Sequence, residues 1–332
     1  MKRFCLWRVA ALLALTLFLS HAEGQFVVED AATPTPAPPY VGLTPPPFEQ
    51  YPVLSGLFLP QGQAPFVHID EKAGRWIYID QQLHVDITRF AEKVRRRPTV
   101  WYISHIYFDE GLAFRSFLAN EEKSGRGNDK PENIASRHRV IYAQNGDLFT
   151  YRVREKRYPG IIIRGGRIIH SKTYSKAVTG VAPLDELSLY PDGRMEVHYP
   201  GQITAQEYVQ RGATDVFAFG PILIQNGIID ERLKNAWHSY EPRSAIGLAA
   251  PGHAVGILVE GRNKRSDGQP LDFVAGRLLE HGCMMAYNLD GGQTAAMMFM
   301  GKNVMTPGTY NNYHKTRSQP DIIGIGTYND QP

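Results

Sequence analysis

Thr99-Val100-Trp101-Tyr102-Ile103-Ser104-His105-Ile106-Tyr107-Phe108 (TVWYISHIYF) is dense in β-branched and aromatic residues, the strongest strand signal in the first half of this 332-residue chain. Upstream, Trp76-Ile77-Tyr78-Ile79 and the alternating Leu83-His84-Val85-Asp86-Ile87 read as further strands. Downstream, Asp109 is placed to cap a short helix carrying Leu112, Phe114, Phe117 and Leu118. After a polar, glycine-containing loop (EEKSGRGNDK), Asp129-Lys130-Pro131 predicts a second helix with proline in its first turn. Val140-Ile141-Tyr142-Ala143, Ile161–Arg164, Met195–Tyr199, Ile222–Gln225 and Val255–Glu260 predict strands. Thr204-Ala205-Gln206-Glu207 is a capping box opening a short helix, and Leu271–His281 a longer helix closed by Gly282. No βαβ rhythm or internal repeat persists. The expectation is an α+β fold with mixed β-sheets, flanking short helices and a single large catalytic domain.

Residues 1–22 have the three parts of a secretory signal. A cationic start (Lys2, Arg3, Arg8) precedes an apolar run from Val9 to Leu19 and a small-x-small site, Ser20-His21-Ala22. That run is 11 residues, short of the ~20 that span a bilayer as a helix. The expected outcome is export with leader removal; an uncleaved membrane anchor is the alternative. Residues 23–50 read as a spacer, since residues 31–49 alone hold seven prolines and favour extended polyproline II. It would hold the domain away from a membrane or wall. Residues 51–82 are expected to pack as an N-terminal extension on a domain spanning 83–327.

Hydrophobic residues make up 43% of the chain and charged residues 21%, which is globular chemistry and excludes global disorder. Lys2, Arg3 and Arg8 are three of 36 basic residues, so without the leader 33 basic residues face 33 acidic ones. The net charge of +3 therefore gives no argument for nucleic acid. Of two cysteines, Cys5 lies in the leader and Cys283 is left alone, which excludes an internal disulfide. Cys283 is expected to pack as a small buried hydrophobe. Eleven histidines show no metal spacing, and no serine-nucleophile elbow, P-loop or dinucleotide fingerprint follows a strand.

What remains is a set of glycine-bearing segments at the ends of apolar runs. They are Asn145-Gly146-Asp147, Gly220-Pro221, Pro242-Arg243-Ser244-Ala245-Ile246-Gly247, Glu260-Gly261-Arg262 and Asn288-Leu289-Asp290-Gly291-Gly292-Gln293-Thr294. Asn145-Gly146-Asp147 taken alone is a good hairpin turn. In the last segment Asn288 and Asp290 flank one leucine, so in a strand both point to one face. Gly291 and Gly292 then allow backbone N–H groups to approach an anion, and Gln293 and Thr294 add hydrogen-bonding groups. Arg243 and Arg262 offer forked donors suited to phosphate or carboxylate.

This collinear set resembles the phosphodiester glycosidases, whose domain is shared with the mammalian enzyme that uncovers mannose 6-phosphate by removing N-acetylglucosamine. That family carries N-G-[DG]-x-[FY], G-P-x-[LI], P-R-[ST]-A-[IL]-G, [VD]-[DE]-G-R and N-L-D-G-G-[GQ]-[ST]. The matching residues run from Asn145-Gly146-Asp147-Leu148-Phe149 through Gly220-Pro221-Ile222-Leu223 to Asn288–Thr294, within about Leu83 to Gly326. Glu260 stands where many members have Asp, and Gln293-Thr294 where many have Gly-Ser or Ser-Ser.

The resemblance implies a hydrolase cleaving the glycosidic C1–O bond of a sugar-1-phosphodiester, with bacterial members often exopolysaccharide-associated. Asp290 is then the principal carboxylate, and Asp147 and Glu260 compete for a second role. Arg243 and Arg262 clamp the phosphate, with Asn145, Gly146, Gly220, Ser244, Asn288, Gly291, Gly292, Gln293 and Thr294 lining the substrate. No cofactor is required with certainty. Two other functions fit the same residues: a phosphoglycan-binding surface protein without catalysis, and a phosphodiesterase breaking P–O with a divalent cation held by Asp147 and Asp290.

Overall fold

The computed structural model describes residues 57–121, 127–154, 159–173, 184–307 and 316–328. Along the chain the first elements are β1 (Phe66–Asp70), β2 (Arg75–Ile79), β3 (Leu83–Val94), β4 (Arg97–Phe108), β5 (Arg115–Leu118), α1 (Pro131–Arg137), β6 (Val140–Asn145) and α2 (Phe149–Arg154). Next come β7 (Ile162–Arg164), β8 (Arg167–His170), β9 (Asp185–Leu189), β10 (Met195–His198), α3 (Ala205–Gln210), β11 (Asp215–Phe219), β12 (Ile222–Gln225) and β13 (Ile228–Ile229). The rest are β14 (Arg243–Ala250), β15 (His253–Val259), α4 (Leu271–Glu280), β16 (Met285–Asn288), β17 (Met297–Phe299), β18 (Lys302–Asn303) and β19 (Asp321–Thr327).

Among the described residues the strands form three sheets: one of nine strands in the order β1-β2-β3-β4-β15-β14-β16-β12-β13, and two of five, β10-β9-β11-β7-β8 and β18-β17-β6-β19-β5. The fold is α+β: among the described residues there is no βαβ unit, and the strand pairings there are antiparallel, from β1 with β2 to β19 with β6. The 99–108 stretch is β4, a central strand flanked by β3 and β15. β3 runs well past the alternating 83–87 segment because β4 pairs with it continuously, from Leu83↔Phe108 to Val94↔Arg97. β1 and β2 add the strands at one edge of the same sheet.

Two local readings are overturned: Asn145-Gly146-Asp147 is no hairpin turn but leads from β6 into α2, and the helix expected after Asp109 is absent. Leu112 to Leu118 forms no helix; Arg115–Leu118 is β5 and pairs with β19 through Phe117↔Ile322. The helical spacing of the apolar residues is outweighed by a tertiary partner far away in sequence. Other local signals hold. Pro131 opens α1 at its first turn, Thr204 and Glu207 cap α3 reciprocally, and Gly282 follows α4 at φ 83°. No described helix is long and apolar enough to cross a membrane.

Two apolar layers hold the sheets together. The nine-stranded sheet sets Tyr102, Ile106, Ile246, Leu258 and Tyr287 against Tyr142, Met297 and Ile323 of one small sheet and Leu187 and Phe217 of the other. On its opposite face α4 buries Leu271, Val274, Ala275 and Leu278 over Ile103, Val255, Ile257 and Cys283. Cys283 is buried there as a packing residue, and burial pushes its thiol pKa up. Truncating Leu278 to Ala would cost about 2–5 kcal/mol by the usual large-to-small cavity effect.

A polar string crosses the first layer and sets the register between sheets. Tyr142 Oη and Ser104 Oγ lie 2.6 Å apart, and Gln144 donates to Ser244 Oγ (3.1 Å), the Ala245 carbonyl (3.2 Å) and the Ile257 carbonyl (3.0 Å). This works because residue 256 is glycine: a Cβ there would overlap Tyr142 Oη and Ser104 Oγ. The string fixes where β6 ends, and so where Asn145-Gly146-Asp147 leaves the sheet.

Candidate active site

Asn145 is the last residue of β6 and joins two of the sequence motifs. Its side-chain amide donates to the Asp290 carbonyl (2.7 Å) and the Gly146 carbonyl (2.9 Å), while its oxygen accepts from Ala296 N–H (3.1 Å). The Asp290 amide reaches the Gly146 carbonyl at 3.4 Å. Asn145 is thus spent on holding the Asp290 loop. Gly146 allows this approach because a Cβ at that position would overlap the Asp321 carboxylate.

From Asn288 to Thr294 the chain leaves β16 and makes a short 3₁₀ turn over Gly292–Thr294. Asn288 donates to the Gly220 carbonyl at 2.7 Å, and Leu289 N–H to the Ser244 carbonyl at 2.8 Å. Gly292 N–H donates to the Pro242 carbonyl at 2.9 Å, so that donor is not open to an anion. The two glycines serve close packing: Gly291 lies against Pro242, and Gly292 lies under the Arg262 guanidinium. Asn288 Oδ1 and Thr294 Oγ1 are buried without a hydrogen bond of good geometry.

The fold treats the three candidate carboxylates differently. Asp147 is fully buried. One of its oxygens accepts from Arg164 (3.1 Å) and Phe149 N–H (3.2 Å), and the other accepts from Ala218 N–H (2.9 Å) with Arg152 at 3.7 Å. Arg164 also bonds Asp321 at 2.6 Å, forming a buried Asp–Arg–Asp cluster. Burial, with the Asp147 charge adding and Arg164 opposing, raises the Asp321 pKa. Glu260 is also fully buried, and its oxygens accept from Tyr102 Oη and Thr306 N–H (both 2.9 Å), Arg265 (3.3 Å) and Asn263 (3.4 Å).

Asp290 stands apart, in a partly exposed position. Burial of its carboxyl pushes its pKa up to about 6, while the Thr294 hydroxyl and the charges of Arg152 and Arg317 pull the other way. Thr294 sits beside this carboxyl, but the hydroxyl is not aligned for a regular hydrogen bond. A carboxyl so placed changes protonation close to neutrality, the range useful for a base or nucleophile.

The two arginines of the sequence motifs also divide. Arg243, at the start of β14, is buried and donates to the Gln269 carbonyl (3.1 Å) and to Ser239 O (2.9 Å) and Oγ (3.1 Å). Burial lowers its pKa to about 10, with Glu241 opposing. Arg262 sits in the left-handed region at φ 57°, pairs with Glu241 at 2.6 Å and reaches over Gly292. Leu148, beside Asp147, is also left-handed at φ 49°. Ser244 is fully buried as the Gln144 acceptor and is a packing group beneath the site.

Sequence reasoning missed Arg152, Arg164, Asp321, Glu241 and Arg317. Arg164 had a signal, a charge at the end of the apolar run Ile161–Ile163; Arg317 had none. Among the described residues no three His, Cys, Asp or Glu side chains converge as metal ligands. Asp147, already matched by two guanidinium groups, is a poor partner for a cation.

The family model for phosphodiester glycosidase matches residues 138–326. The SPbeta prophage-derived uncharacterized protein YomE of Bacillus subtilis (strain 168) is 30% identical over 148 residues, 44% of this chain and 22% of that protein. The chain thus spans about a fifth of that relative's length. The zebrafish N-acetylglucosamine-1-phosphodiester alpha-N-acetylglucosaminidase catalytic domain, auto-inhibited by its pro-peptide, shares the fold. It aligns over 75% of this chain and 85% of its own, with TM-score 0.59 and 17% identity. A hypothetical protein from Synechocystis aligns over 74% of this chain and 62% of its own, at TM-score 0.47 and 13% identity. The family match takes in the Asn145 loop, both motif arginines and the whole Asp290 turn, more than half of the sequence, and this chain belongs to the phosphodiester glycosidase family.

Proposed function

We propose that this protein is an exported hydrolase that cleaves the anomeric C1–O bond of a sugar-1-phosphodiester, either an N-acetylglucosamine-1-phosphodiester or a phosphorylated glycan of an exopolysaccharide or cell wall. Family membership and the activity named for the zebrafish domain support the reaction class. The leader and proline-rich spacer lie outside the described residues; their sequence supports an extracytoplasmic setting near a membrane or wall.

The observation that carries the reading is Asp290, a carboxyl raised to about 6 and set between the Asn145 clamp and the Arg262-covered turn. The leaving group is a phosphate monoester, so an acid to protonate it is less necessary than for a neutral alcohol. A water oxygen joins C1 as the C1–O bond breaks. The bonding pair leaves with the phosphate oxygen, turning a diester monoanion into a monoester dianion. Asp290 accepts the water proton and its charge stabilises the cationic sugar centre. Arg262 meets the phosphate, and Arg243 stiffens the wall behind it. Asn288 and Thr294 are buried beneath the turn and shape it, with the Thr294 hydroxyl set beside the Asp290 carboxyl. Asp147 and Glu260, bound by protein donors, hold the frame.

Turnover of methyl N-acetyl-α-glucosaminyl phosphate in ¹⁸O-labelled water tests this. Label in the sugar is the expected result. Label in the phosphate would assign a P–O phosphodiesterase, and saturable binding without turnover would assign a binding module.

A further inference from the structure

Arg317 lies outside every motif, yet its backbone is fixed to the site. Its amide donates to the Gln293 carbonyl at 2.9 Å, on the 3₁₀ turn that follows Asp290. Two residues later Gln319 exchanges backbone hydrogen bonds with Asp129 (2.8 and 3.0 Å), and Thr316 before it is buried. The position is therefore anchored on both sides while its side chain is exposed. The guanidinium forms no hydrogen bond or ion pair among the described residues. The neighbouring arginines differ: Arg152 and Arg164 bond protein carbonyls and Asp147, Arg243 bonds Ser239 and Gln269, and Arg262 bonds Glu241. Arg262 and Arg317 thus flank the 291–294 turn, one over Gly292 and one tied to Gln293.

We propose that Arg317 is a phosphate-binding residue of this site, using its unspent forked donors on the non-bridging oxygens of the substrate's phosphodiester. This rests on the reading of Asp290 as the carboxylate of a sugar-1-phosphodiester hydrolase. As C1–O cleaves, the phosphate gains a second negative charge, so the guanidinium bonds strengthen toward the transition state. The loss should therefore fall on kcat as well as KM. Lysine keeps a charge but not the planar fork, so Arg317→Lys should recover only part of the function.

The test uses the full-length protein and two probes, methyl N-acetyl-α-glucosaminyl phosphate for turnover and methyl phosphate for calorimetric binding. Arg317→Ala is expected to lower kcat/KM for the diester by about 10- to 100-fold, the size of one charge-assisted pair, and to weaken methyl phosphate binding similarly. Arg317→Lys should fall between Ala and wild type. If wild type cleaves the diester and Arg317→Ala matches it in kcat, KM and methyl phosphate affinity, this assignment is overturned while the reaction stands. If wild type cleaves no sugar-1-phosphodiester, the reaction is wrong. Arg317 is then judged on methyl phosphate alone: weakened binding in Arg317→Ala upholds it as a phosphate ligand, and unchanged binding removes it.

Discussion

Asp290→Asn should trade activity for stability, with a pH dependence that exposes the cause. The Asp290 pKa rises from 3.8 to about 6 on folding, mainly through burial. Two units at 1.36 kcal/mol each is about 3 kcal/mol against the ionised form. Partial solvent exposure reduces this, leaving about 1–2 kcal/mol. Below about pH 4 the carboxyl is protonated folded or unfolded, and no penalty exists. Between about pH 4 and 6 the folded protein holds a proton that the unfolded chain has lost, so stability falls as pH rises. Above about pH 6 the penalty is complete. Asparagine is nearly isosteric and carries no charge to desolvate. Urea unfolding followed by circular dichroism should give equal midpoints for variant and wild type near pH 4, roughly the unfolded pKa, and a more stable variant near neutrality. Turnover of the diester should fall about 10²-fold or more in the variant, and wild-type kcat should show an acid limb near pH 6. A folded variant with near-normal turnover moves the catalytic assignment to Asp147 or Glu260. A variant less stable than wild type by the same amount at both pH values would refute the claim that burial of a charge sets the Asp290 pKa.

Arg164→Met strands Asp147 and Asp321, both fully buried, and should cost about 3–5 kcal/mol by urea unfolding, part of which Asp321→Asn restores; a loss below about 1 kcal/mol would show that water or rearrangement replaces the guanidinium. His105 lies between His253 Nε2 (2.9 Å) and His281 Nδ1 (3.0 Å), and burial lowers the pKa of His105 to about 3 and of His253 to about 4. A histidine kept neutral by folding stabilises above its unfolded pKa and loses that contribution as pH falls toward the folded value. His105→Gln should therefore lose about 2 kcal/mol less stability than wild type between about pH 7.5 and pH 5, and an equal loss in both proteins would count against the histidine chain as the acid-sensitive element.

Elements written in local chemistry were legible. The Thr204–Glu207 box needs only four neighbouring residues, and the strand expected at Ile222–Gln225 is β12 at those bounds. β5 was misread because its strand character comes from β19, some two hundred residues later, and nothing near Phe117 announces that partner. The site divides along the same line. Motif order brought Asn145, Asp290, Gly291 and Gly292 to attention, and the fold does place them in contact, directly or through Pro242 and Gly146. What each donor does there depends on partners from other strands. Gly292 N–H, free on paper for a phosphate, is taken by Pro242.

The carboxylates show why residue type and motif position stop short of mechanism. Asp147, Glu260 and Asp290 are chemically near-identical and lie in equally specific motifs. Asp147 meets Arg164 and Arg152 from other elements, and Glu260 meets Tyr102 and Arg265, so both charges are balanced where they are buried. Asp290 is the one placed in a loop where burial outweighs its partners, and it is the one whose protonation lies near neutrality. Environment divides the roles, as it does wherever paired carboxylates perform different tasks. The same buried ion pairs explain the placement. With Asp147 held by Arg164 and Gly146 pressed against Asp321, the Asn145 amide has one fixed position from which to hold the Asp290 carbonyl. The stability of the Asp–Arg–Asp cluster is thereby coupled to the geometry of the Asp290 carboxyl, and, on the proposed mechanism, a substitution in that cluster should disturb turnover through Asp290 without touching substrate.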